Sequence, residues 1–281
     1  MGRSDELNGI GSAVKRAMRA ALYTWDESMA RRNAPRDFLK WHALENGSVS
    51  PNYFMHVVPD QKLVYVEVPK TASSYIISEL VTAFRGRNAP EGNVHRRGRS
   101  GLTCPRAMGI SQFIELIDDP ETFIFASVRN PFTRLVSCYF DKFANVVIGD
   151  GSYISNTYIA YQRLVGRPVV DGRPLRFDEF VEFACDTAPL RYDGHWCRQS
   201  DIVSSWIAKP HFLVKFETLS RDFGYVLRRF AAGSEQVQQV VTHAVTTTDR
   251  KAKDLLTEKT IAKIVEVYSA DFLRFGYPTH F

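Results

Sequence analysis

The stretch LVYVEVPKTASSYIISEL, residues 63–80, holds two periodicities joined at one seam. LVYVEV (63–68) is a short apolar run rich in β-branched and aromatic residues, the pattern of a buried parallel strand. From Ile76 onward, Ile77, Leu80, Val81 and Phe84 recur at helical spacing. Between the two stand Pro69, Lys70, Thr71, Ala72, Ser73 and Ser74. A helix N terminus offers unpaired N–H groups and partial positive charge, and both attract phosphate. Hydroxyls add donors, small residues admit the backbone, and Lys70 supplies a point charge. The seam is a candidate phosphate cradle, although it lacks the glycines of GxxxxGK[ST]. A Ser73 helix cap beside a solvated lysine is the plainer alternative.

TFIFASV (122–128) repeats the arrangement. Asn130 suits an N-cap, Pro131 suits the first helical position, and Leu135, Val136, Tyr139, Phe140 and Phe143 form an apolar face. Arg129 stands at the strand end, where its fork suits a second phosphate. Ser137 lies about two helical turns on, toward the same side as the helix start. Arg134, Ser137 and Asp141 share a spacing that predicts a polar stripe, or a surface bridge between Arg134 and Asp141. HFLVKFE (211–217) reads as a third strand, and one last helix runs through Ile261, Ile264, Val265, Tyr268 and Phe272. Strand–helix alternation predicts an α/β fold with a central parallel sheet flanked by helices. Ligands in such folds sit beyond the carboxyl ends of the strands, where both seams fall. Two anion seams in one chain imply a ligand with two separated phosphates.

At 281 residues the chain suits one large domain with an appendage. We expect a polar helical extension over 1–50, containing SAVKRAMRAAL (12–22), and a main domain over 51–281. The net charge of +5 points to anionic partners, with basic clusters at VHRRGRS (94–100) and TTTDRKAKD (246–254). No run approaches the ~20 apolar residues of a membrane span, and the acid-bearing N terminus does not read as a signal peptide. Cys104, Cys138, Cys185 and Cys197 show neither CxxC pairing nor metal-ligand spacing, which predicts free thiols and a cytoplasmic setting.

Together, PKTASS (69–74) and VRNPFTRLVSCYFDKF (128–143) resemble the two cofactor motifs of carbohydrate sulfotransferases, the group that includes the HNK-1, chondroitin 4-O and heparan sulfate 2-O branches. DGHWCRQ (193–199) is similar to a family HW-x-x-Q block, KFETLSRDF (215–223) to KFE-x-L, and YSADFLRFGY (268–277) to DF-x-x-FGY. The resemblance implies a P-loop-like three-layer fold and a donor, 3′-phosphoadenosine-5′-phosphosulfate (PAPS), with adenosine 3′,5′-bisphosphate as product and no metal. It implies that Pro69, Lys70, Thr71, Ala72, Ser73 and Ser74 face the 5′-phosphosulfate, and that Arg129 and Ser137 face the 3′-phosphate. Arg250 and Lys251, before the last helix, are candidates for touching the nucleotide. Arg198 replaces a family proline, and the cysteine pair and membrane anchor of animal members are missing, which implies a soluble, bacterial member.

Sulfuryl transfer needs in-line geometry, charge stabilisation on the leaving side and a base for the attacking hydroxyl. Lys70 is the expected charge stabiliser, and Ser137 a candidate partner that diverts it. His95 and His195 are both candidate bases, and the basic neighbours of His95 favour its neutral form. Glu67 and Glu79 lie near the cradle in sequence. Arg96, Arg97 and Arg99 suit an acidic glycan acceptor or a solvated loop. Two alternatives stand beside this reading. A P-loop kinase needs a metal-holding Ser/Thr after GK and an acidic strand end, and neither appears. A basic nucleic-acid or glycan binder needs basic residues spread along one face, whereas here the distinctive residues sit at strand ends and no nucleic-acid partner is expected.

Overall fold

Every residue of β2 (Leu63–Val66) and β3 (Phe123–Val128) is buried, so the sheet must be covered on both faces. A computed structural model describes residues 54–85, 102–190, 193–204, 210–230 and 250–281. The expected extension over 1–50, His95 and the arginines beside it lie outside the described residues.

Among the described residues four strands are ordered β1-β2-β3-β4, with β1 at Met55–Val58 and β4 at Phe212–Lys215. β2, β3 and β4 run parallel, as the crossover pattern predicts. The sheet also has a strand that the sequence reading did not include: β1 pairs with β2 antiparallel, Met55 opposite Val66. The physical reason is the short connection. A single 3-10 turn, Pro59–Gln61, followed by left-handed Lys62, can only join antiparallel neighbours.

Alternate strand residues face opposite layers. Leu63, Tyr65, Phe123 and Phe125 pack with α1 (Ser73–Arg85) and with the helix Leu219–Phe230 that follows β4. Val64, Val66, Ile124 and Ala126 pack on the other face, against the helix Ile110–Asp118 and residues Ile202 and Val203. In chain order the helices are α1, α2 (Pro105–Met108), α3 (Ile110–Asp118), α4 (Pro131–Lys142), α5 (Tyr153–Leu164), α6 (Phe177–Thr187), α7 (Gln199–Ser204), α8 (Leu219–Phe230), α9 (Glu258–Val267) and α10 (Ser269–Phe275). A further core, around Phe143, Phe180, Phe183 and Trp196, joins α4, α5, α6 and α9 beside the sheet. The single closing helix expected from periodicity is two, because the chain breaks at Tyr268, whose side chain is fully buried.

Phe125 is stacked on Tyr65, with ring centroids 4.9 Å apart, and is wholly buried beneath α8. Phe125→Ala is expected to cost about 3–5 kcal/mol, read as a lower urea midpoint at unchanged slope.

Candidate active site

The first seam leaves β2 and turns sharply. Lys70 (φ 73°) and Ala72 (φ 68°) both adopt left-handed backbone, where a Cβ costs on the order of 1–2 kcal/mol. Three side chains hold that strained loop. Thr71 is fully buried, its hydroxyl donating to the Val68 carbonyl (2.7 Å) and meeting Ser127 Oγ (2.5 Å), which in turn meets Tyr65 OH (2.7 Å). Arg134 Nε donates to the Pro69 carbonyl (3.0 Å), and Arg129 Nη1 to the Lys70 carbonyl (3.3 Å). Successive carbonyls are thereby turned inward. α1 starts at once, its first bond running from Ile76 N–H to the Ala72 carbonyl (3.1 Å). A concave loop leading into a helix start is an anion-binding arrangement. The Thr71 hydroxyl is committed inward, so Thr71 can serve such an anion only through its backbone. Ser73 is buried and Ser74 exposed.

At the second seam Asn130 caps α4, accepting from Phe132 N–H (2.9 Å), and Pro131 opens the helix as its fixed φ favours. Arg129 is 3% exposed. Its guanidinium lies 3.9 Å above the Phe216 ring and Nε donates to Thr133 Oγ1 (3.1 Å). Three distant segments fix the backbone here, and sequence reasoning had assigned their residues no role. The Gln199 amide accepts from Arg129 N–H (2.9 Å) and donates to the Arg129 carbonyl (2.7 Å). Asp271 in turn accepts from the N–H groups of Gln199 (2.8 Å) and Ser200 (2.7 Å). Glu217 accepts from Asn130 N–H (2.8 Å) and Tyr277 OH (2.8 Å). The signal was present in the HW-x-x-Q, KFE-x-L and DF-x-x-FGY blocks, but not the partners.

Lys70 Nζ pairs with Asp141 at 3.2 Å, and Lys142 reaches the same oxygen at 3.1 Å. Partial burial works to raise the Asp141 carboxyl, but the two lysines outweigh it and hold it below the usual carboxylate range. The polar stripe of α4 needs a correction. Arg134 is 1% exposed and donates to the carbonyls of Pro69, Cys197 (2.8 Å) and Gly194 (2.7 Å), so it forms no surface bridge with Asp141. The stripe is Thr133, Ser137 and Asp141, one turn apart each. Ser137 is half-buried between Arg129's partner and Lys70's. Lys251 reaches the α4 surface, with Nζ 4.1 Å from the Phe140 ring centre, and Arg250 beside it is exposed. His195 Nδ1 lies 2.7 Å from Asp193 Oδ1. Glu67 is 3% exposed and held by His56 Nε2 at 2.8 Å. Burial raises the Glu79 carboxyl on α1 above its ordinary value.

Gln199→Ala leaves the buried N–H and carbonyl of Arg129 orphaned, each at about 1–3 kcal/mol. We expect a correspondingly lower urea midpoint, measured on the full chain.

The profile of the sulfotransferase family matches residues 54–278, which takes in both seams and all three segments that converge on Arg129. The chain is similar to carbohydrate sulfotransferase 11 of Rattus norvegicus, 27% identical over 256 residues that cover 82% of this chain and 69% of the relative. It is also similar to carbohydrate sulfotransferase 9 of Homo sapiens, 24% identical over 291 residues that cover 92% of this chain and 62% of the relative. No solved structure gives a significant match. Since the match spans the strands, both seams and the clamp on Arg129, this chain belongs to the sulfotransferase family and is an enzyme of sulfuryl transfer.

Proposed function

We propose that the protein moves the sulfuryl group of PAPS to a hydroxyl of a carbohydrate or glycan-like acceptor. The observation that carries this reading is the contact of Arg129 Nη1 with the carbonyl of Lys70 (3.3 Å), which makes the two seams one site. The residues present fit a doubly phosphorylated nucleotide: a helix start with a lysine at one end, an arginine and a half-buried serine at the other. Pro69, Lys70, Ala72, Ser73, Ser74 and the Thr71 backbone hold the 5′ side. Arg129 and Ser137 hold the 3′-phosphate, with Arg250 and Lys251 on the rim beside Phe140. The donor supplies an activated sulfuryl group on a phosphate leaving group. Lys70 leaves Asp141 to stabilise the charge that develops on the leaving side. His195, or His95, takes the acceptor proton.

The carbohydrate acceptor is supported by the similarity to proteins named carbohydrate sulfotransferases. Residues 51–281 form the sulfotransferase domain in this reading, in keeping with a family match over residues 54–278. Parallel β2, β3 and β4 between two helical layers, with the anion seam directly after β2, support a P-loop-like fold. Among the described residues no helix is long and apolar enough to cross a membrane. The cysteine pattern supports a cytoplasmic setting, and burial pushes the Cys138, Cys185 and Cys197 thiols up to about 12.

Calorimetry with adenosine 3′,5′-bisphosphate and with ATP tests the proposal. Selective binding of the bisphosphate is expected, and equal or preferential binding of ATP would overturn it. Lys70→Ala is expected to lower turnover about 10²–10³-fold, the usual loss when one charge-stabilising donor is removed. Near-normal turnover contradicts the role given to Lys70.

A further inference from the structure

Asp193 opens the turn that carries His195, and one of its oxygens serves that histidine twice. Oδ1 accepts from the His195 backbone N–H at 2.8 Å and lies 2.7 Å from the ring Nδ1. An ionised carboxylate has no proton to give, so the shared proton sits on Nδ1 and the lone pair is left on Nε2. Nε2 makes no hydrogen bond among the described residues, and the side chain is one-third exposed.

The turn itself is rigid. Cys197 N–H bonds the Asp193 carbonyl (2.9 Å), Trp196 Nε1 donates to Thr187 Oγ1 (2.9 Å), and Tyr268 OH donates to the Trp196 carbonyl. A Cβ on Gly194 would lie 2.7 Å from Phe54 Cζ, so the turn closes on a neighbour that only glycine admits. Arg134 ties the turn to the first seam, because one guanidinium holds the carbonyls of Gly194 and Cys197 together with that of Pro69, the residue before Lys70.

We propose that Asp193 is a positioning residue that locks His195 in its Nδ1–H form and aims Nε2 as the proton acceptor for the incoming hydroxyl. This rests on the reading of His195, rather than His95, as the base. As the acceptor oxygen bonds to sulfur, its proton passes to Nε2 and the bond from sulfur to the departing phosphate oxygen breaks. The electron pair stays on that phosphate, beside Lys70. The imidazolium formed is stabilised by Asp193 and returns its proton to water after product leaves.

The charged groups around this pair are Lys142 and Arg134 of α4, with the Lys70–Asp141 pair beside the intervening Cys138. Asp201 and Asp271 act on Cys197 behind the turn. Burial works to raise the Asp193 carboxyl, but its hydrogen bonds to His195, with Lys142 nearby, bring it below the ordinary value. Asp193 therefore stays ionised at neutral pH.

The test uses the full chain, with 15N spectra of the imidazoles and His195→Gln to assign the signal. We expect wild-type His195 to show the Nδ1–H tautomer, and Asp193→Asn to revert it toward the Nε2–H form favoured by free imidazole. An Nε2–H ring in the wild type, or an unchanged ring in the variant, overturns the inference. In parallel, transfer of labelled sulfate from PAPS to unsulfated chondroitin is followed against pH. Asp193→Asn is expected to lower kcat at least tenfold, within the usual range for a general base, with KM nearly constant. Full turnover by His195→Gln would sink the underlying reading of the base while leaving the tautomer result standing, so the two failures are separable.

Discussion

One buried guanidinium holds the site together. Arg134 is almost wholly enclosed, and its three hydrogen bonds end on carbonyls from two chain segments more than 120 residues apart in their outer members. Burying a charge is costly unless its donors are satisfied, and removing a partner from such a group is worse than never burying it. Carbonyl dipoles of Pro69, Gly194 and Cys197 supply that satisfaction, with the Asp271 carboxyl close enough to feel the charge. The penalty for displacing either segment therefore falls on Arg134, and this fixes the spacing between the lysine seam and the histidine turn.

The same logic explains a phosphate cradle without glycine. Left-handed backbone at Lys70 and Ala72 is disfavoured locally, and the compensation comes from below: the buried hydroxyl chain Thr71, Ser127 and Tyr65, and the two arginines that hold the loop's carbonyls. Glycine relieves strain within one residue. Here neighbouring elements absorb it, which binds the loop's shape to the integrity of β3 and α4.

Much of this was legible in the chain. The three parallel strands, the Asn130 cap, Pro131 and the pairing of the two seams all follow from local periodicity and cap chemistry. What stayed hidden depends on partners far away in sequence. Helical spacing put Arg134 on a stripe with Asp141, because spacing reports the face of a helix and not the carbonyls another segment brings to it. Gln199 and Asp271 were visible as members of conspicuous blocks, yet their work is on main-chain atoms, which no side-chain pattern records. β1 was missed although Pro59 and Asp60 mark its turn.

The Gln199 amide donates to and accepts from the Arg129 main chain as a peptide group does, just past the end of β3. It recognises the peptide of residue 129 and is indifferent to what that residue carries. Gln199 thus anchors the backbone of residue 129, while the guanidinium of the same residue also holds the Lys70 carbonyl. A change of that side chain therefore acts on the shape of the loop as well as on anion chemistry.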